Sequence, residues 1–246
     1  MRAMTGLLLL MLAQPAMAQT ASEIVLQSDQ QMRGDSAYSE LSMTIVRPTW
    51  QRSMRMKSWS LGRDYALVTV IEPAKDKGNS SLKRQQQMWQ WIPKVSQVIK
   101  LSSSMLSQSW MGSDFTNDDL INQSSIVIDY DHSLLSDDVV DNDRCFVVIA
   151  NAKPDAPVVW SKVKLWISQD SYLQRQAEFY DEFDEVVNIL TTWDVATVGG
   201  RKIATRMRMM PMDKPKQYTE IITHDAAFNF EIDAQFFSLE QLQNSH

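Results

Sequence analysis

Apolar residues in this chain follow a helical period near the start and a period of two almost everywhere after it. Ala21, Val25 and Met32 are spaced for one face of a helix over Ser22 to Met32, with Thr20 or Ser22 available as cap and Gly34 as terminator. Past Gly34 the period becomes two. Leu41, Met43 and Ile45 alternate with Ser42, Thr44 and Val46 as far as a turn at Pro48-Thr49, and Met54 and Met56 then alternate with Arg55 and Lys57. Tyr65 to Ile71 reads as a further strand, closed by Pro73 and a polar loop through Asn79. Two strands then flank Pro93-Lys94. In the first, Trp89 and Trp91 lie two apart and project from one face, and Val95, Gln97, Ile99 and Leu101 continue on the return.

A Ser-rich stretch over residues 102–109 follows, and with Met105, Leu106, Trp110 and Met111 it is too apolar for an ordinary solvated loop. Thr116-Asn117-Asp118-Asp119 fits a capping box that opens a short helix through Leu120. Beyond it, residues 145–150, 162–168, 173–180, 186–195, 202–210 and 218–224 each read as strands. Explicit turns separate most of them, among them Lys153-Pro154-Asp155, Gln169-Asp170, Asp181-Glu182, Gly199-Gly200 and Asp213-Lys214-Pro215. Short strands joined by turns at this spacing describe an antiparallel meander. A short amphipathic piece, Ala234 to Leu242, ends the chain, and no repeat or linker divides it.

The first residues change the picture of where this domain works. Arg2, the apolar run from Gly6 to Leu12 and the small-x-small site Ala16-Met17-Ala18 read as a secretory signal peptide over residues 1–18. The run is too short for a membrane span, which needs roughly 20 apolar residues. Cleavage after Ala18 leaves Gln19 first; because Gln19 is not a cysteine, no lipid anchor is expected, and residues 19–246 form one domain in the periplasm. The single cysteine, Cys145, sits in the apolar run Cys145-Phe146-Val147-Val148-Ile149 and reads as a buried packing thiol. The net charge of -6 argues against a nucleic-acid partner, which requires a basic face. Gly is scarce at 7 residues, whereas Met at 15 and Trp at 8 are plentiful, and flexible Met suits surfaces that accept variable apolar shapes.

Chemistry is hard to find. His132, His224 and His246 have no partners at metal-ligand spacing, and there is no Gly-x-Ser-x-Gly elbow, phosphate loop or dinucleotide fingerprint. Asp137, Asp138, Asp141 and Asp143 lack the Gly and closing Glu of a calcium loop, and Asp181 to Glu185 reads as an exposed hairpin tip. No catalytic residue, metal or cofactor is expected, and the chain reads as a non-enzyme. What stands out is apolar: Met54, Met56, Trp59, Trp89 and Trp91 on strands of one sheet, and Met105, Leu106, Trp110 and Met111 on a loop. Two readings fit these nine. They fill an ordinary core, or they line and cover a concave sheet whose inner face is partly unfilled.

The stretch Met88-Trp89-Gln90-Trp91-Ile92-Pro93, followed by Ser109-Trp110-Met111-Gly112-Ser113-Asp114-Phe115-Thr116-Asn117-Asp118-Asp119-Leu120, resembles the outer-membrane lipoprotein-sorting (LolA-like) proteins. It is most similar to a longer branch with a Met-Gly-Ser/Thr-Asp-Phe segment after a strand ending in Pro. The resemblance implies a mainly β (α+β) fold: one antiparallel sheet, strongly curved into an unclosed half-barrel, with a few helices over its concave face. It further implies a periplasmic carrier that binds the acyl chains of a lipid or lipoprotein and passes them towards the outer membrane. Such a carrier would act as a monomer, with an inner-membrane transporter as possible donor or acceptor. Within the motif, Gly112 would allow a sharp turn and Asp114 or Thr116 would cap the helix, a structural role rather than a ligand contact. The chain is longer than the best-known carriers, and none of its arginines, Arg63 included, maps onto their lid-anchoring one. The alternative from another class is a lipid-sensing regulator that binds an anti-sigma factor, an architecture that usually carries a second domain.

Overall fold

The computed structural model describes residues 19–121 and 125–245. The signal-peptide expectation for residues 1–18 therefore lies outside the described residues. Helix α1 (Ala21–Arg33) opens the fold. Its start is a complete capping box: Thr20 accepts from the Glu23 amide while the Glu23 side chain accepts from the Thr20 amide. Gly34 ends it at a φ of 63°, as the sequence suggests.

Strands follow in a long meander: β1 (Ser36–Arg47), β2 (Trp50–Leu61), β3 (Tyr65–Glu72), β4 (Ser80–Arg84), β5 (Gln87–Ile92) and β6 (Gln97–Lys100). Four short helices intervene or close the chain: α2 (Ser103–Leu106), α3 (Asn117–Ile121), α4 (Ser125–Ile128) and, at the C-terminus, α5 (Leu239–Asn244). The second set of strands is β7 (Tyr130–Leu134), β8 (Asp138–Val140), β9 (Asp143–Ala152), β10 (Lys162–Ser168), β11 (Gln174–Tyr180), β12 (Val186–Val198), β13 (Arg201–Pro211) and β14 (Tyr218–Phe228). All belong to one antiparallel sheet in the order β6-β5-β4-β3-β2-β1-β14-β13-β12-β11-β10-β9-β7, with β8 also paired to β9. The sheet joins its two halves where β1 pairs with β14, and its ends β6 and β7 do not pair with each other. It is an open, curved half-barrel, as the resemblance implied.

Turn chemistry sets the register. Pro48-Thr49 closes a two-residue hairpin in which Arg47 faces Trp50. Gly199-Gly200 closes another, with Val198 facing Arg201 and positive φ at both residues, the geometry that matches strand twist. Gly199 has a second reason: a Cβ there would lie 2.2 Å from the Ala226 carbonyl oxygen.

Because side chains alternate across a strand, the register assigns every residue to a face. Met43, Ile45, Met54, Met56, Val68, Val70, Val148, Leu165, Ala177, Leu190, Met209 and Ile221 fall on the concave side and form the main core with Ile24 and Val25 of α1. On the convex side of the first half, Leu67 and Leu82 pack with Phe237 and Leu242 of the C-terminal segment, so that α5 closes a second core against β4 and β5. A small third cluster on the convex side joins Cys145, Val147 and Trp166 beneath Val140 of β8.

Strands β4, β7 and β8 and helix α4 have no clear periodic signal and were not expected. Ser80, Ser81 and Lys83 of β4 are buried polar residues, which hides a strand from any reading of apolar alternation.

Candidate functional site

Helix α1 lies across the concave face, against β7, β10 and α4, and does not fill it. Two cavities remain between helix and sheet. The larger, about 200 Å³, is walled by Val25 and Met32 of α1, Ile126, Trp160, and Leu165, Phe179 and Met209 of the second half of the sheet. The smaller, about 170 Å³, lies under the first half, between Leu41, Met56 and Val68 on one side and Ile203, Ile221 and Phe228 on the other. Met32, Arg33, Phe115 and Met207 line both, so these four residues form a waist between two neighbouring lobes of the cleft under α1. An apolar cavity of about 150 Å³ suffices for a benzene-sized guest, and each lobe exceeds it.

The Met-Gly-Ser-Asp-Phe motif explains how the waist is held. Met111 and Gly112 turn the chain with φ of 50° and 81°. Arg47 clamps the turn from β1, donating to the Gly112 carbonyl at 2.8 Å and pairing with Asp114 at 2.9 Å. The Thr219 hydroxyl of β14 donates to Asp114, and Arg52 reaches the Met111 carbonyl. Trp110, buried, donates its indole N–H to Ser81 of β4. Pinned on both sides, the segment delivers Phe115 to both lobes. Thr116 is the helix cap: its hydroxyl accepts from the Asp119 amide, and Asp119 accepts from the Thr116 amide. Asp114, the other candidate cap, serves the Arg47 clamp instead.

Charged groups border the cleft at two places. Asp119, on the wall of the larger lobe, accepts from the Trp160 indole at 2.9 Å, and burial pushes its carboxyl above the usual range. At the waist, Arg33 pairs with Asp29 one turn earlier in α1 at 3.0 Å, and Arg63 approaches the other Asp29 oxygen at 3.5 Å. Arg63 thus ties the β2–β3 turn to α1. Lys83 donates to the Arg63 carbonyl, and burial, then the Arg33 charge, lowers its pKa.

Of the nine residues predicted to line or cover a cavity, Met56 lines the smaller lobe. Met54 is buried on the same face in the main core. Trp59, Trp89 and Trp91 project from the opposite, convex face and pack around Leu67, Leu82, Phe237 and Leu242. Met105 and Leu106 sit on α2, not on a loop, and pack with Met88 and Leu101. Trp110 is core, and Met111 packs against it. The waist residues Met32, Arg33, Phe115 and Met207 were missed, although Met207 and Met209, alternating with Arg206 and Arg208, carried the signal.

The remaining candidate chemistry resolves into structure. His132 donates from Nε2 to the Ile126 carbonyl, which leaves Nδ1 to accept from Ser22; the ring joins α1 to α4. Burial pushes the Cys145 thiol up to about 11, the reverse of an activated nucleophile. No group of His, Cys, Asp and Glu able to hold a metal occurs among the described residues.

No curated protein matches the chain. Solved structures do. A DUF1329 family protein from Desulfovibrio piger is 25% identical, with a TM-score of 0.83 over 91% of this chain and 98% of that one. A LolA superfamily protein from Nitrosomonas europaea is 24% identical, with a TM-score of 0.78 over 91% and 100%. A Vibrio parahaemolyticus domain named for outer membrane lipoprotein sorting is 20% identical, with a TM-score of 0.79 over 91% and 98%. A family model described only as an uncharacterized-protein-like family matches residues 62–244. The chain belongs to that family, and it shares the half-barrel fold of these three structures.

Proposed function

We propose that this protein is a periplasmic carrier that holds acyl chains of a lipid or lipoprotein in the cleft between α1 and the concave sheet. The observation that carries the reading is the divided cleft itself, walled mainly by Met, Leu, Ile, Val and Phe and unfilled by protein. Each buried CH₂ contributes about 0.8 kcal/mol, so an acyl chain left in water costs on the order of 10 kcal/mol. A carrier offsets that cost and must still release its cargo. Met32, Met56, Met207 and Met209 suit both needs, because unbranched thioether side chains adapt to variable shapes. The signal sequence over residues 1–18, a mature start at Gln19 without a lipid anchor, and delivery towards the outer membrane or a transporter belong to the same reading. It assigns no enzymatic activity.

The test is uptake. Protein purified from membrane-containing lysate should carry extractable lipid, and delipidated protein should take up a fluorescent fatty acid. A wild type that binds neither would end the proposal.

A further inference from the structure

The sheet ends on one side at β7, which pairs only with β9 among the described strands. The Leu135 amide donates to the Val147 carbonyl, and the Lys153 amide donates to the Asp129 carbonyl. In an antiparallel ladder the main-chain groups of alternate residues turn to the partner strand. Those of residues 129, 131, 133 and 135 therefore face β9. Those of His132 and Leu134 face outward, and they have no main-chain partner among the described residues. Residues 133–139 are exposed without a break. Leu134 and Val139, opposite Val148 and Arg144, lie on the concave side, and Leu135 lies on the convex side. Sheet edges of this kind template the pairing of a further strand, and proteins cover, shorten or charge them. Here the device is charge. Residues 129–144 carry six aspartates, against which stand Arg144, Lys153 and, on neighbouring strands, Lys164 and Arg175, so the edge stays two charges negative. Lys162, the next cation, is paired with Asp184. Asp131 and Asp141, which bracket the apolar stretch, make no ion pair among the described residues.

We propose that the β7 edge is a docking site for a partner protein, which adds an extended segment to the sheet as one more strand. The segment has alternating apolar residues and a Lys or Arg at each end. Its main chain bonds to His132 and Leu134, its apolar side chains meet Leu134 and Val139 or Leu135, and its cations reach Asp131 and Asp141. Asp131 faces Asn151 of β9, and Asp141 follows Val140, which faces Asp143. About nine extended residues span that stretch at roughly 3.4 Å each. A second copy of this chain fits poorly, because two β7 edges side by side set aspartates against aspartates, and like charges across a strand pair are destabilising. The site is independent of what the cleft carries.

A fluorescein-labelled peptide, Arg-Thr-Val-Thr-Val-Thr-Val-Thr-Arg, titrated against the protein tests the assignment. It should bind, and at saturation it should slow amide exchange at Leu134 tenfold or more. The same peptide with Glu at both ends should bind at least tenfold more weakly. Leu134→Pro removes an outward N–H but no bond to β9, a position where an edge strand tolerates proline; it should weaken binding tenfold or more with little change in melting temperature. Asp131→Asn with Asp141→Asn, at two exposed residues, should reduce the preference for Arg ends over Glu ends threefold or more. No binding of the Arg peptide, equal binding of the Glu peptide, or unchanged exchange at Leu134 on binding overturns the assignment. If Leu134→Pro fails to fold, the double variant decides, and an undiminished preference overturns it. A protein that sediments as a dimer with Leu134 already protected overturns it in favour of a second copy.

Discussion

On the concave side of the first half of the sheet, Met56, Val68 and Leu41 face a lobe of the cleft. On the convex side of the same strands, Trp59, Leu67, Leu82 and Trp89 face Phe237 and Leu242, with Trp59 and Phe236 rings 5.7 Å apart and Tyr65 and Phe237 rings 5.5 Å apart. Neighbouring residues on one strand thus serve different ends. The convex face is covered by a tail of the same chain, whose aromatic rings fit it and fix its shape. The concave face is crossed by α1, a helix of 13 residues whose last turn borders both cavities without filling them. The rings of Trp59, Phe236 and Phe237 close the convex surface, whereas Met32, Met56, Met207 and Met209 border the space left on the concave side, together with Phe115, Trp160 and Phe179.

This contrast predicts opposite behaviour for substitutions on the two faces. Phe237→Ala, at a fully buried position, should cost about 3–5 kcal/mol of stability in denaturant unfolding. Molecules that remain folded should keep their affinity for a fluorescent fatty acid; a folded variant without uptake would mean that the two faces are not independent.

Met207→Asp places a carboxylate at the waist. Fatty-acid uptake should fall tenfold or more, about 1.4 kcal/mol per factor of ten. The melting temperature should fall less than for Phe237→Ala, because Met207 borders open space. Equal melting losses would show that Met207 is core in the ordinary sense.

A smaller effect is expected at the cap of α3. Thr116→Ala removes the hydroxyl that accepts from the Asp119 amide and should cost about 0.5–2 kcal/mol. It should also disturb uptake, since Phe115 precedes the cap and lines both lobes; unchanged uptake would detach the motif from the cleft.

The smallest effect concerns pH. The folded-state pKa of Asp119 is raised by burial, so the folded protein binds more protons here than the unfolded chain between the two pKa values. The penalty is absent below the unfolded value and grows as pH rises through the folded one. Asp119→Asn can still accept from the Trp160 indole and should gain stability relative to wild type as pH rises from 4 towards 7, measured by paired denaturant titrations. A difference that shrinks over that range would contradict the assignment.

Much of this molecule was legible before folding was considered. The period-two strands, the Thr20 and Thr116 caps, and the turns at Pro48-Thr49 and Gly199-Gly200 were readable because each depends on neighbours a few residues away. The parity of Met54 and Met56 against Trp59 was also on the page: positions three apart on a regular strand face opposite sides, so these three could not share one cavity wall. Strand β4 was illegible because its buried Ser80, Ser81 and Lys83 are satisfied by partners distant in sequence, such as Thr69 and the Arg63 carbonyl.

Local sequence thus determined an antiparallel meander with one long helix before it and an unusual supply of Met and Trp. Which face each residue would serve was decided by tertiary structure. The C-terminal segment folds back over the convex side, so Trp89 and Trp91 became packing for Phe237 and Leu242 rather than the wall of a cleft. Helix α1 takes the other side, and its last turn brings Arg33 to Phe115 and Met207, residues 82 and 174 positions further along. Alternation along a strand says that two faces exist. Only the path of the rest of the chain determines which face is covered and which keeps an opening.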